Sequence, residues 1–274
     1  MPAARISLGG RREVARIIVT RPAPDAQRWV DDLAARGLEA IALPLIAIAT
    51  MPDAQALAAA RNALDGLDAL FFVSGNAATH FFASNVRTAL VQWSWTAINT
   101  RAWAPGPGTA AALIEAGVPP ESIDAPALDA PQFDSEALWH VVQPQVVPGL
   151  RVLMVRGAGA DGQPAGRDWM ADRLRTAGAS VAQVAAYRRA APVWAAAQAA
   201  LARAALADGS VWLFSSSEAI GNLKALLPDA RFEAARAIAT HPRIAQTARA
   251  AGFGVVCESR PDLDSLERSL KLLG

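Results

Sequence analysis

Arg16-Ile17-Ile18-Val19-Thr20-Arg21, near the start of the chain, returns as Arg151-Val152-Leu153-Met154-Val155-Arg156 in its middle. Three further phrases return in the same order. Phe71-Phe72-Val73-Ser74 returns as Trp212-Leu213-Phe214-Ser215. Arg101-Ala102-Trp103-Ala104, with Pro107 and Gly117, returns as Arg236-Ala237-Ile238-Ala239, with Pro242 and Gly252. Asp134-Ser135 returns as Asp264-Ser265. The shift stays near roughly 135 residues, and a repeat of that period is the mark of duplicated structural units. Two similar lobes are therefore expected, with a ligand cleft between them, because small-molecule sites favour such clefts.

Each copy opens on a short apolar, β-branched run. In the first, a strand over Ala15–Thr20 is broken by Pro22 and Pro24. A helix with apolar spacing follows over Asp25–Arg36 and ends at Gly37, and a second strand covers Ala40–Leu43. In the second copy the strand is Val152–Arg156, the helix Asp168–Ala177, the stop Gly178 and the next strand Val181–Ala186. Later apolar runs predict strands at Leu70–Val73, Ala102–Ala104, Val211–Phe214, Ala237–Ala239 and Gly254–Cys257. Strands alternating with helices predict parallel sheets covered on both faces. The expected fold is thus α/β, two similar doubly wound lobes. Pro44–Pro52 and Tyr187–Pro192 read as connections between them. Whether each copy folds on itself or exchanges its first strand–helix–strand unit is left open by the pattern.

Ligands of open parallel sheets bind at the carboxyl ends of the strands. The corresponding loops are Thr20–Pro24, Ser74–Asn76, Pro105–Thr109, Arg156–Gly162, Ser215–Ser217 and Thr240–Arg243. They are rich in hydroxyls, Gly and Pro, and they precede helices, whose N-terminal N–H groups favour anions. Plain helix capping explains any one of these Ser and Thr residues equally well. All of the loops together point to a ligand with many negative groups.

Composition narrows the class. A hydrophobic fraction of 53% with 19% charged residues is that of a globular chain. A formal net charge of +1 gives no general field for nucleic acid or membrane. The single cysteine, Cys257, excludes an internal disulfide and fits a reducing compartment. Residues 1–13 are polar, without an apolar signal core, and are expected to be a disordered N-terminus. No run reaches the roughly 18 apolar residues of a membrane span. A cytoplasmic protein is expected, and a monomer, because no long apolar stripe calls for a partner.

Gly157-Ala158-Gly159-Ala160-Asp161-Gly162 fits the spacing G-x-G-x-x-G of a dinucleotide loop. Pro164 and Gly166 delay the helix, and no Asp or Glu lies between Asp172 and Asp208, where the ribose ligand belongs. A flexible loop over a ligand is the better reading. His80, His140 and His241 form no ligand pattern, so no metal is expected. His80 and His140 read as ordinary helix residues. Tyr187, the chain's single tyrosine, closes an apolar strand before Arg188-Arg189. Its phenol can give up a proton and hold the charge beside cations. An interface tyrosine with a satisfied hydroxyl accounts for the same residues.

Taken together, Val19-Thr20-Arg21-Pro22, Phe72-Val73-Ser74-Gly75-Asn76-Ala77, Gly106-Pro107-Gly108-Thr109-Ala110 and Asp134-Ser135-Glu136-Ala137-Leu138 resemble the bacterial uroporphyrinogen-III synthase family. Val155-Arg156-Gly157, Tyr187-Arg188-Arg189, Phe214-Ser215-Ser216-Ser217-Glu218-Ala219 and His241-Pro242-Arg243-Ile244 continue the likeness, which runs from about Ala15 to Leu270. The resemblance implies two α/β lobes joined by a two-stranded linker. One lobe would be residues 14–45 plus 188–274 and the other 50–185, with linker strands at 46–49 and 186–187. It implies a cofactor-independent lyase without a metal, which closes hydroxymethylbilane, a linear tetrapyrrole with eight carboxylates, while inverting its last pyrrole and releasing water. Tyr187 matches the family's functional tyrosine and would be catalytic. Substrate contacts would fall to Arg21, Ser74, Asn76, Gly106, Thr109, Arg156, Ser216, His241 and Arg243. The chain departs from some members at Asn76, where they carry arginine, and at His241-Pro242-Arg243, where they carry a Thr-rich phrase. The competing expectation is a two-lobed binding or sensor protein for an anionic metabolite, without catalysis.

Overall fold

A computed structural model of the chain describes residues 16–51, 55–83, 99–159 and 162–273. The N-terminal segment 1–13 lies outside the described residues. The chain divides into two compact units, residues 1–47 with 191–274, and residues 48–190.

The first unit holds a five-stranded sheet. Its strands are β1 (Ile17–Val19), β2 (Ala40–Ala42), β9 (Val211–Phe214), β10 (Arg236–Ala239) and β11 (Val255–Glu258), in the order β11-β10-β9-β1-β2. Every neighbouring pair is parallel. The first strand–helix–strand unit therefore pairs with the C-terminal part of the chain, through β1 beside β9. Helix α1 (Ala23–Ala35) starts after Pro22 and buries Ala26 and Leu33. These pack with Ile17, Val19, Val211, Leu213, Ile238 and Leu266 in one core. Helix α7 (Ala196–Ala205) buries Ala202 and Ala205, and the Ala205 carbonyl accepts from Trp212 Nε1 of β9 at 3.1 Å.

The second unit holds a six-stranded sheet of β3 (Ala47–Thr50), β4 (Ala69–Phe72), β5 (Arg101–Trp103), β6 (Ile123–Asp124), β7 (Arg151–Ala158) and β8 (Ser180–Ala190), ordered β3-β8-β7-β4-β5-β6. β8–β7, β7–β4, β4–β5 and β5–β6 are parallel. The segments read as linker strands run into this sheet, where β3 lies beside β8. Side chains alternate between two buried faces, as the strand period of 2 requires. Leu70, Phe72, Leu153, Val155 and Val184 join Ala77, Ala78 and Phe81 of α3 (Gly75–Phe81) and Leu113 of α4 (Pro107–Glu115). Phe71, Val152, Met154 and Val181 pack on the other face. There they meet Leu138 and Val142 of α5 (Ser135–Val142) and Met170, Ala171 and Leu174 of α6 (Trp169–Thr176).

One irregularity matters for function. Arg156 pairs with Ala185, but Gly157 pairs with Tyr187, so Ala186 is an extra residue in β8. A one-residue slip moves a side chain to the opposite face of a strand. By alternation from Val181 and Gln183, Tyr187 would face α6. The bulge turns it onto the other face, where it packs in the same cluster as Ala77, Ala78 and Phe81 of α3.

Candidate active site

Tyr187 is held at several points. The residue is only 3% exposed. Its hydroxyl lies 3.1 Å from Ser74 Oγ, and its ring stacks on His80 with centroids 5.5 Å apart and planes at 29°. Ser74 and His80 both belong to the α3 segment, so one short helix grips the phenol at its hydroxyl and at its face. Ser74 is the N-cap of α3, and its Oγ accepts from the Ala77 N–H at 3.2 Å. With that lone pair occupied, its own O–H can donate to the phenol oxygen, leaving the phenolic proton free for transfer. On the edge of the ring stands Gly157, where a Cβ would come within 2.9 Å of Tyr187 Cζ. Burial pushes the His80 imidazole below its ordinary pKa, keeping it a neutral ring.

The parallel order places several expected residues along one carboxyl edge: Tyr187 and Gly157 at β8 and β7, Ser74 and Asn76 after β4, Gly106 and Thr109 after β5. α3 and α4 approach closely here, and a Cβ on Gly75 would stand 3.2 Å from the Gly108 carbonyl oxygen. Gly106 is the N-cap of α4 and is backed by Phe133, whose Cβ would lie 2.8 Å from a side chain at that position. Thr109 is buried at the first turn of α4. Asp134, by contrast, is a plain N-cap that accepts from the Ala137 N–H at 2.8 Å.

Arg156, expected as a substrate contact, makes several hydrogen bonds within the fold. It is 2% exposed and lies on the α6 face of β7. It donates to Asp168 Oδ1 at 2.6 Å, Gln183 Oε1 at 2.8 Å and the Arg167 carbonyl at 2.9 Å. This pairing holds the Asp168 carboxyl below its usual range. Gly166, at φ +126°, passes so close that a Cβ would meet Arg156 Nη2 at 2.6 Å. Its two Nη groups are thus committed to Gln183 of β8 and to the segment leading into α6, while its Nε is buried with no hydrogen-bond partner among the described residues. Residues 160–161 of the glycine-rich segment lie outside the described residues, and the positions that flank them are hydrogen-bonded. Gly159 N–H donates to Gln163 O, Ala165 N–H to Gly157 O, and both bonds are 2.9 Å. α6 begins only at Trp169, well past Gly162, so the dinucleotide geometry is not built. Arg156→Met should lower stability by about 2 kcal/mol through loss of three hydrogen bonds. Denaturant unfolding checks this, and an unchanged Michaelis constant should accompany it.

In the first unit, Arg21, Ser216, His241 and Arg243 stand at the carboxyl ends of β1, β9 and β10. Arg21 lies over the Trp29 ring at 4.5 Å from its centroid, and its Nε is buried with no hydrogen-bond partner among the described residues. Burial lowers its pKa to about 10, against the opposing attraction of Asp25. A guanidinium so placed gains by meeting an anion. Ser216 caps α8 (Ser217–Leu226) by accepting from Glu218 N–H at 3.2 Å. His241 caps α9 (Pro242–Ala251) through Nδ1, which accepts from Arg243 N–H at 3.1 Å. The Arg243 side chain is exposed. Among the described residues no cluster of His, Cys, Asp and Glu could hold a metal ion, and no helix is long and apolar enough to cross a membrane.

The fold and this site define a doubly wound α/β protein with a buried, hydroxyl-bonded tyrosine at the carboxyl edge of a parallel sheet. The family described as uroporphyrinogen-III synthase HemD matches residues 27–267, and the chain belongs to that family of cyclising lyases in porphyrin and haem biosynthesis. It is 30% identical to the uroporphyrinogen-III synthase of Proteus mirabilis over 175 residues, 63% of this chain and 79% of that one. Among solved structures, a mutant uroporphyrinogen III synthase from Thermus thermophilus aligns over 94% of this chain and 98% of its own, with TM-score 0.56 and 18% identity. A uroporphyrinogen-III synthetase from Helicobacter pylori aligns over 94% and 99%, with TM-score 0.52 and 16% identity. These two likenesses show the fold.

Proposed function

We propose that Tyr187 is the proton donor in the closure of hydroxymethylbilane to uroporphyrinogen III. The observation that carries this reading is the contact between its phenol and Ser74 Oγ at the end of the bulged strand. The phenol protonates the hydroxyl of the hydroxymethyl group, the C–O bond breaks, and water leaves. The azafulvene left behind is attacked by the substituted carbon of the last pyrrole, forming a spiro C–C bond. That ring system fragments and recloses, and loss of one ring proton restores the pyrrole. The overall reaction releases water and no net proton, so the phenolate recovers the proton shed at the last step. Ser74 donates to the phenolate in the interval.

Unaided closure gives the unrearranged isomer, so the protein's task is positioning. Within the second unit, Asn76, Gly106 and Thr109 are assigned to the reacting end of the substrate; within the first, Arg21, Arg243 and the N–H groups beside Ser216 and His241 are assigned to carboxylates. Each charge-assisted hydrogen bond contributes about 1.5–3 kcal/mol. Thr109→Ala should raise the Michaelis constant by about fivefold, the size of one lost neutral hydrogen bond. Steady-state kinetics test it, and unchanged constants would remove Thr109 from the site. The same reading puts the protein in the cytoplasm as a monomer acting on a free small molecule, apart from nucleic acid and membrane. A formal net charge of +1, which draws neither polyanion, supports it.

The deciding experiment incubates fresh hydroxymethylbilane with and without the protein, oxidises the products and separates the type I and type III porphyrins. Type III in large excess is expected. Type I alone, at the blank rate, would overturn the reading in favour of a non-catalytic binding protein for an anionic metabolite.

A further inference from the structure

We infer that His80 is a positioning residue for Tyr187, acting as the flat neutral platform that fixes the phenol ring for proton transfer; this rests on the assignment of Tyr187 as the proton donor. A tyrosine ring needs two restraints to aim its hydroxyl, one along the C–O axis and one against the ring face. Ser74 supplies the first at 3.1 Å, and the His80 ring, 5.5 Å away and inclined by 29°, supplies the second. Both come from α3, so the two restraints move as one body.

The helix is itself anchored at the His80 end. Arg61 of α2 (Gln55–Asn62) donates through Nη2 to the His80 carbonyl and through Nε to the Phe81 carbonyl, both at 2.9 Å. Its guanidinium also lies over the Phe81 ring, 5.6 Å from the centroid. Phe81 meets Phe72 of β4 edge-on at 5.5 Å and Phe82 at 5.1 Å, so the turn carrying His80 is tied to the sheet. The chemistry fits as well. The desolvation of His80 favours the uncharged imidazole, a flat ring that packs against the phenol without adding a charge of its own.

The test is a double-variant cycle on kcat and KM, with folding monitored for each protein. His80→Ala should lower kcat about tenfold with KM within about twofold, because only the aim of the donor is lost. In a Tyr187→Phe background the same substitution should change kcat by less than about twofold, since no donor is left to aim. His80→Phe, which keeps a flat neutral ring, should restore kcat to within about threefold of the parent. Should His80→Ala fail to fold, His80→Gln, which keeps volume without a ring, takes its place. Wild-type kcat in the ring-less variant, losses that multiply in the double variant, or a His80→Phe as slow as His80→Ala would each overturn the inference while leaving Tyr187 in place. Wild-type turnover in Tyr187→Phe alone would instead overturn the assignment beneath it.

Discussion

Tyr187→Phe should fold as the parent does and form uroporphyrinogen III about two orders of magnitude more slowly, the usual size of a single acid–base contribution. The substitution removes one oxygen and leaves the ring, so the stack on His80 and the contact with Gly157 survive. The hydrogen bond to Ser74 Oγ is lost, at a net cost of about 1 kcal/mol. Ser74 keeps its cap to Ala77 N–H, so α3 should remain in place. The loss should therefore appear in kcat, with KM little changed, because a proton donor acts in the transition state and binds no carboxylate. The product that still forms should be type III, since positioning persists without the donor. Wild-type turnover would remove Tyr187 from the chemistry. A shift to type I would assign the tyrosine to substrate folding.

The repeat was enough to read two parallel α/β units and nearly every strand, because fully apolar runs such as Val211–Phe214 leave little choice. Ser74, Gly106 and Thr109 were legible for the same reason: they follow strands whose carboxyl ends must line one edge. Pairing of the first unit with the C-terminal strands was not legible in the local patterns, since exchange of equivalent β-α-β units leaves each of them unchanged; only the family resemblance implied it. The register of β1 with β9 shows it directly.

The surroundings of Arg156 and His80 were not legible in the sequence, and for one reason. A residue at a strand end can face either side of the sheet, and its parity decides. Arg156 shares the face of Met154 and Gln183, so it meets Asp168 and Gln183 there. His80 is an unremarkable helix residue in sequence. It matters because the bulge at Ala186 swings Tyr187 across to α3. No propensity announces that bulge. The available hint was Gly157, whose missing side chain opens the space the phenol occupies.

That space makes Gly157→Ala the second large effect. A Cβ there would lie 2.9 Å from Tyr187 Cζ, 3.0 Å from Cε2 and 3.1 Å from the hydroxyl oxygen, so something must move. Gly157 does not carry a positive φ, so alanine is acceptable to the backbone and the effect is purely steric. The phenol has little room to yield, being stacked on His80, bonded to Ser74 and almost fully buried. Overpacking of this kind costs about 1–3 kcal/mol. A displacement near 1 Å at a reacting group can cost about a hundredfold in rate, and a loss of that order in kcat is expected. Gly221→Ala, in α8 with nothing within 4 Å of the added carbon, should leave activity unchanged and raise stability by up to about 1 kcal/mol. In a Tyr187→Phe background Gly157→Ala should still destabilise, because Cζ remains in its path, yet reduce kcat little further. Stability loss without rate loss in the single variant would mean that the phenol can shift and still deliver its proton. Parent-like stability and rate together would mean that the bulged strand gives way, and that Gly157 does not set the place of Tyr187.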